Sequence, residues 1–325
     1  MHPSSEYCYA NWFLLEKCNF RCFYCSVVNP QRPKKVIKKI KDIVSPRHRQ
    51  YSLYDELDGV IERFLRTGRK ITFGFTGGEP LLYPHFVEIC KKLASFDEFS
   101  ISIDSNLSSD AIFRLTESVP PEKVEYIFSA LHVLERESII GEIDSFIERI
   151  LRLKNEGYRT DVNYVMHPIL FDRIERDYSY CLDKGLKLSI KAFKGVYEGK
   201  KYPASYNDEM RDYLRKNFPS EGGRDRFGTR NFLGRNCNSG MSIIQIWESG
   251  DITRCLADTT SLGNVYTGFD LNETAQPCII ARCPCFDPVR LFDDIDHAPA
   301  ISPPSMRIAR IKQTCHLIKR VWQQS

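Results

Sequence analysis

The chain has no long apolar run. Its opening hydrophobic stretch, Tyr7 to Leu15, is far shorter than a membrane span and lacks a basic segment and a small-residue cleavage site, so neither a transmembrane helix nor a secretory leader is expected. Concentrated positive charge is also missing. Forty-six Lys and Arg against 42 Asp and Glu leave a net charge of +4 over 325 residues, which argues against a dedicated nucleic-acid binder. Histidine is scarce, at seven, and neither a histidine nor a fourth cysteine lies close to the first cysteine group.

Cysteine is abundant, at twelve, and 42% of residues are apolar, enough for one large domain and a small appendix. Clustered cysteines in a long chain without a leader read as metal ligands rather than disulfides, and a cytoplasmic location is expected. Cys18, Cys22 and Cys25 stand at C-x3-C-x2-C spacing just after the apolar stretch. Three thiolates on a loop leaving a strand can hold three irons of a 4Fe–4S cube, with the fourth iron left open. A catalytic metal site needs an open position, and a structural one avoids it. A zinc knuckle or free thiols are the alternatives, but zinc asks for four ligands.

Helical spacing of Leu53, Leu57, Val60, Ile61, Phe64 and Leu65 predicts a helix over 53–66. A strand over 70–75 then runs into Thr76-Gly77-Gly78-Glu79-Pro80, where a Gly-Gly pair permits backbone conformations and close approaches closed to other residues. Further elements follow in alternation: helix 84–94, strand 99–104, strand 124–129, helix 142–153, strand 160–166, helix 174–183 and strand 186–193. Such alternation implies a parallel sheet, as an α/β barrel or an open sheet. Strand 99–104 ends in Ser105-Asn106-Leu107-Ser108, where Ser108 or Ser109 also suits a helix N-cap. Ser129 and His132 stand at a strand's carboxyl end, where a parallel barrel presents its active face. His132 is a candidate substrate ligand, proton carrier or polar rim residue. Alternation along 186–193 puts Ser189, Lys191 and Phe193 on one face. Turned inward, Lys191 is a candidate substrate contact; turned outward, it is a solvated lysine. Between the first loop and the first helix, Lys34, Lys35, Lys38, Lys39 and Lys41 form a solvated helical face or a lid that attracts an acidic substrate or electron donor.

Residues 18–25, with the aromatic Tyr24 before the last cysteine, resemble the signature of the radical S-adenosylmethionine (SAM) superfamily, and Gly77-Gly78-Glu79-Pro80 resembles its second motif. The resemblance implies a partial (βα)6 TIM-like barrel over residues 1–195, with SAM and the cluster at its carboxyl-end rim. The open iron would chelate the amino and carboxylate groups of SAM, and the reduced cluster would cleave it to methionine and a 5′-deoxyadenosyl radical. Gly77, Gly78, Glu79 and Pro80 would surround the SAM amino group, with Glu79 as an acceptor matched to an ammonium. Ser105 and Asn106 would meet the ribose or carboxylate, Ser129 the ribose, and Tyr24 would join the cofactor-binding set. A flavodoxin or ferredoxin is the expected reductant.

Residues 196–235, rich in Tyr and Pro, form a connecting region whose aromatics either cover the barrel mouth or serve ordinary packing. Cys237, Cys255, Cys278, Cys283 and Cys285 follow, on an expected hairpin (242–247, 252–253) and a C-x4-C-x-C group. Residues 236–290 resemble the SPASM or shorter twitch domains that hold an auxiliary iron–sulfur cluster. Five cysteines fit one four-ligand cluster with one to spare, taken as Cys237, and zinc suits four thiolates equally well. Cys8, Cys90, Cys181 and Cys315 read as small buried hydrophobes, although an epimerase would need one such thiol as a hydrogen donor. Residues 291–325 carry an amphipathic basic helix, 306–322, expected to dock on the protein's own surface.

The expected function is hydrogen abstraction from an unactivated C–H bond, with the auxiliary cluster as electron acceptor or substrate ligand. Maturation of a ribosomally made peptide is the preferred reading, with any peptide-recognition element on a separate protein. Dehydrogenation or epimerisation of a small alcohol or sugar is the alternative. A non-catalytic iron–sulfur or zinc protein is the third, and a sensor has no use for a SAM-amine acceptor.

Overall fold

The structure, a computed structural model, describes residues 6–25, 52–140, 143–217, 231–281 and 283. The lysine-rich segment, Cys285, Cys315 and the expected helix 306–322 lie outside the described residues.

Strand β1 (Tyr7–Leu15) alternates, with Cys8, Ala10, Trp12 and Leu14 buried. The same period of two runs through β2 (Lys70–Gly77), where Ile71, Phe73 and Phe75 are buried, and β3 (Phe99–Ser105), where Phe99, Ile101 and Ile103 are. These side chains form the layer beneath the helices. Phe64 of α1 (Leu57–Leu65) meets Phe73 edge-on at 4.9 Å, and Phe86 of α2 (Phe86–Ala94) meets Phe75 at 5.4 Å. Burying each such side chain contributes about 1.5–3 kcal/mol. A one-residue slip would turn the whole layer away from the helices, so it fixes the register.

Strands β4 (Val124–Ala130), β5 (Thr160–Met166) and β6 (Ser189–Ala192) continue the sheet, with helices α3 (Ala111–Thr116), α4 (Ile143–Asn155) and α5 (Ile174–Asp183) between them. The six strands pair in parallel and in sequential order. This is the α/β fold expected from the sequence, a partial barrel with an open edge at β6. Strand β6 begins at Ser189, not at 186, because its pairing with β5 starts at Asn163. Leu186 and Leu188 are buried without a ladder, so periodicity of burial overstated the strand. The six-residue helix α3 and the helix α6 (Asp208–Asn217) were not anticipated.

After a hairpin of β7 (Gly195–Tyr197) and β8 (Lys200–Tyr202), the chain reaches β9 (Asn236–Cys237). Strand β10 (Ile243–Ile246) then pairs in parallel with the free edge of β1. Strands β11 (Asp251–Thr253), β12 (Ser261–Asn264) and β13 (Gly268–Phe269) follow antiparallel, giving a ten-stranded sheet ordered β13-β12-β11-β10-β1-β2-β3-β4-β5-β6. A separate ladder joins β9 to β14 (Gln276–Pro277). The second cysteine region therefore grows from the edge of the barrel sheet, beside the strand that delivers the first cysteine loop. Among the described residues no helix is long and apolar enough to cross a membrane.

Candidate active site and second cysteine centre

The first cysteine loop leaves β1 at Leu15 and is fixed at its base by the turn after β2. The Gly78 N–H donates to the Leu15 carbonyl at 2.7 Å, and the Glu79 N–H to that of Lys17 at 2.9 Å. Gly77 has φ +131, in the region that favours glycine, and an added Cβ on Gly78 would run into the Lys17 carbonyl. The Gly-Gly pair is thus required by the close approach of two backbones. Pro80 opens a short 3-10 turn, Pro80–Leu82, capped by the Glu79 side chain.

Glu79 is 0% exposed. Its Oε1 accepts from Ser105 Oγ at 2.7 Å and from the Leu81 N–H at 3.1 Å, and its Oε2 from the Asn106 N–H at 2.7 Å. Burial raises its carboxyl above the ordinary range against these hydrogen bonds. The carboxylate thereby clamps the ends of β2 and β3 together. Asn106 carries the clamp onward: its Nδ2 donates to Asn19 Oδ1 at 2.9 Å and lies 3.8 Å from Cys18 Sγ. Its carbonyl accepts from buried Arg136, whose guanidinium also stacks 3.8 Å from the Phe146 ring centre. Ser105 and Asn106 therefore stand beside the cysteine loop, as expected. Arg136, which sequence reasoning missed, is the hub under them.

Cys22 is buried and Cys18 and Cys25 are half-buried. Burial, then neighbouring Glu135, Cys25 and Cys18, raises the Cys22 thiol; Cys18 is raised mainly by burial. The Phe20 N–H donates to Cys18 Sγ at 3.4 Å. His132 Nδ1 lies 3.2 Å from Cys22 Sγ and 3.0 Å from Tyr24 Oη. Burial, helped by Arg136, pulls this imidazole down to about 3, so it is neutral. Tyr24 stacks on both His132 and His167. His132 thus faces the cysteine loop.

Lys191 lies on the lumen face. Register places Phe128 beside Asp104, Asn163 beside Ser189, and Lys191 beside Val165. The Lys191 ammonium sits 5.6 Å from the Phe128 ring centre and attracts Asp104, a carboxylate accessible to solvent yet ringed by protein, which raises it against the attraction of Lys191 and the Thr76 hydrogen bond. Asp104 was missed, although the alternation Ser100, Ile101, Ser102, Ile103, Asp104 points it inward with the two serines. Ser129 takes the opposite face from Phe128; it is buried, and its Oγ has no partner among the described residues.

At the second centre, Cys278 lies in electrostatic reach of Cys237, Cys283 and Cys255, and Cys255 of Cys283. Burial raises all three thiols of Cys237, Cys255 and Cys278, the last to about 11. The four cysteines come from three backbone segments, around Cys237, Cys255 and Cys278–Cys283, and Cys278 and Cys283 pack against the cluster of Phe232 and Cys237. Buried Arg254 ties these segments together. It donates to the carbonyls of Ser239 (3.0 Å), Pro277 (2.8 Å), Cys237 (3.5 Å) and Gln276, and pairs with Asp258 at 3.0 Å. Its position directly before Cys255 was the only sequence signal for it.

Among the described residues no three His, Cys, Asp or Glu side chains are arranged to hold a single metal ion. A four-iron cube puts each thiolate on a different iron. The donor sets fit that demand: three clustered thiols with N–H groups aimed at sulfur in one place, and four thiols in the other.

The model of the radical SAM superfamily matches residues 12–181, from β1 through α5. The GTP 3′,8-cyclase of Pseudomonas entomophila is 36% identical over 166 residues, covering 49% of this chain and 45% of that protein, so the match spans less than half of the relative. Streptococcus suis SuiB bound to S-adenosylmethionine superposes with a TM-score of 0.50 at 16% identity, covering 84% of this chain and 63% of that one. For anSMEcpe with bound AdoMet and Cp18Cys peptide the TM-score is 0.51 at 16% identity, covering 80% and 77%. At these identities the structures speak for the fold. The family match spans more than half of the chain and contains the first cysteine loop, the Gly-Gly-Glu-Pro turn and the Glu79–Asn106 clamp: the chain belongs to the radical SAM superfamily.

Proposed function

We propose that this protein is a radical SAM enzyme that modifies a peptide, with a second iron–sulfur cluster in a twitch-type region built from residues 236–290. When bound, the first cluster and SAM supply a 5′-deoxyadenosyl radical that takes hydrogen from an unactivated C–H bond. Cys18, Cys22 and Cys25 hold three irons. The backbone of Gly77, Gly78 and Pro80 lines the SAM amino group, and Glu79 shapes that turn from beneath. Asn106, braced by Ser105 through Glu79, serves the rest of SAM, whereas Ser129, expected at the ribose, lies buried on the face away from the lumen; Tyr24, between His132 and His167, keeps water from the loop.

The peptide reading rests on the lumen. Among the described residues its charged lining includes the cation Lys191 and two carboxylates, Asp104 and Asp161, the latter beside Phe128 and accepting from Ser189 Oγ at 2.6 Å. Such a lining suits a group that donates as well as accepts, as a peptide amide does. A nucleoside triphosphate would call for an excess of cations. The anSMEcpe structure is described with a peptide, whereas the curated relative is named a GTP cyclase. A nucleotide substrate is therefore the second reading. Cys237, taken from the sequence as the spare, stands with Cys255, Cys278 and Cys283, and these four would hold the auxiliary cluster, which with every iron ligated serves as an electron acceptor rather than a substrate ligand. A ferredoxin or flavodoxin reduces the first cluster in the cytoplasm, and a separate protein recognises the peptide leader.

The test is anaerobic turnover with dithionite and SAM. Peptides, among them the Cp18Cys peptide of the anSMEcpe structure, should raise 5′-deoxyadenosine above the SAM-only level, with deuterium passing from a labelled peptide into it. GTP should do neither; stimulation by GTP alone would replace the peptide reading with the nucleotide one.

A further inference from the structure

His132 is the residue whose placement the reaction outline leaves unused. Strand β4 ends at Ala130, and the chain turns through His132 with φ +46. A left-handed backbone is uncommon for a residue with a Cβ, so it persists where its surroundings hold it. The enforcement is visible: the ring meets Phe20 edge-on at 5.7 Å and stacks on Tyr24 at 6.1 Å. Its outcome is that one nitrogen, Nδ1, sits 3.2 Å from Cys22 Sγ and 3.0 Å from Tyr24 Oη.

Nδ1 carries either a proton or a lone pair. A thiolate bound to iron can only accept a hydrogen bond, so beside a loaded cluster the proton belongs on Nδ1, and the imidazole becomes an N–H···S donor. Hydrogen bonds to the sulfurs are among the factors that set the reduction potential of an iron–sulfur cluster; they withdraw charge from the thiolate and favour the reduced state. We infer that His132 is a positioning residue of the first cluster: it fixes the Cys22 side chain and raises the cluster's reduction potential by donating Nδ1–H to the Cys22 thiolate. This replaces the expectation of a substrate ligand or proton carrier, since the ring is turned to the loop. The inference rests on the reading of Cys18, Cys22 and Cys25 as cluster ligands.

Two variants and one label test it on the full chain. His132→Gly accepts the left-handed backbone freely while deleting the imidazole; Tyr24→Phe deletes the competing hydroxyl alone. The signal to follow is the electron paramagnetic resonance of the reduced cluster whose spectrum changes when SAM is added. His132→Gly should retain iron and shift that cluster's potential to more negative values. Tyr24→Phe should leave it unchanged or move it upward. In the native protein, 15N-histidine labelling should give a nitrogen coupling to this cluster, lost in His132→Gly. An unchanged or raised potential in His132→Gly at full iron content would overturn the inference. If His132→Gly fails to hold the cluster, the native protein still decides, because absence of the 15N coupling there overturns the inference equally. Native protein without any SAM-responsive cluster would overturn the ligand reading of the loop itself, and the inference with it.

Discussion

The two cysteine centres reach their geometry by opposite routes. At the first, three thiols lie within one short loop at the end of β1, and the neighbouring chain supplies hydrogen bonds: Phe20 and Asn106 to Cys18, His132 to Cys22. At the second, four thiols come from three segments that Arg254 knits together, with Phe232 packed at their side. A site held by one loop can give up a ligand position without losing its shape, because the turn at Gly77 and Gly78 keeps the loop's base in place. On the proposed reading, a site assembled from three segments would use its metal as part of the cross-link, which is the character of a closed centre. On that reading, openness at the first and closure at the second would separate chemistry from electron transfer.

The sharpest way to break this contrast is to remove the ligands of each centre in turn. Replacing Cys18, Cys22 and Cys25 by Ala should remove about four irons and reduce 5′-deoxyadenosine formation to background. Iron analysis and chromatography of the quenched reaction check both. Replacing Cys255 and Cys278 should remove a similar amount of iron, yet leave SAM cleavage in place and uncoupled from product. Product at the native rate in that variant would make the second centre structural.

A milder perturbation addresses assembly. Arg254→Ala strips the second centre of its cross-strapping and leaves Asp258 buried without its partner, a loss of about 3–5 kcal/mol. Chemical denaturation should show it, with iron lost from the second centre and SAM cleavage kept at the first. The smallest effect belongs to the clamp beneath the first loop. Glu79→Gln puts an amide N–H against one of three donors, a cost of about 1–3 kcal/mol. Burial raises the Glu79 carboxyl in the folded chain, so the native state takes up that proton before the unfolded chain does. The deficit of the Gln variant should therefore widen as the pH falls through the window just above the ordinary carboxylate range. Paired denaturation curves across that window measure it.

Much of the first centre was legible because it is local in sequence. The spacing of Cys18, Cys22 and Cys25 and the Gly-Gly pair report geometry that one turn decides. The parallel order of β1 to β6 was legible for a similar reason, since strand–helix alternation admits few topologies. What escaped was long-range. Nothing in Glu79 announces that its carboxylate meets Ser105 and Asn106 rather than solvent, and nothing in Arg254 announces four carbonyls drawn from two other loops. Lys191 was left between two faces, because its strand sits at an edge and four residues of alternation do not say which side is the lumen. The pairing of β10 with β1 was equally hidden: antiparallel hairpins announce their own partners, but not the older edge they join.

The central claim, an open first cluster beside a closed second one, has one direct test. Mössbauer spectra of 57Fe-loaded native protein should be recorded with and without SAM. The account predicts that about one iron in eight, the unligated corner of the first cube, changes its parameters on SAM addition, and that the change vanishes in the Cys18, Cys22 and Cys25 triple-Ala variant. A SAM-induced change that persists in that variant, or none in the native protein, would contradict it.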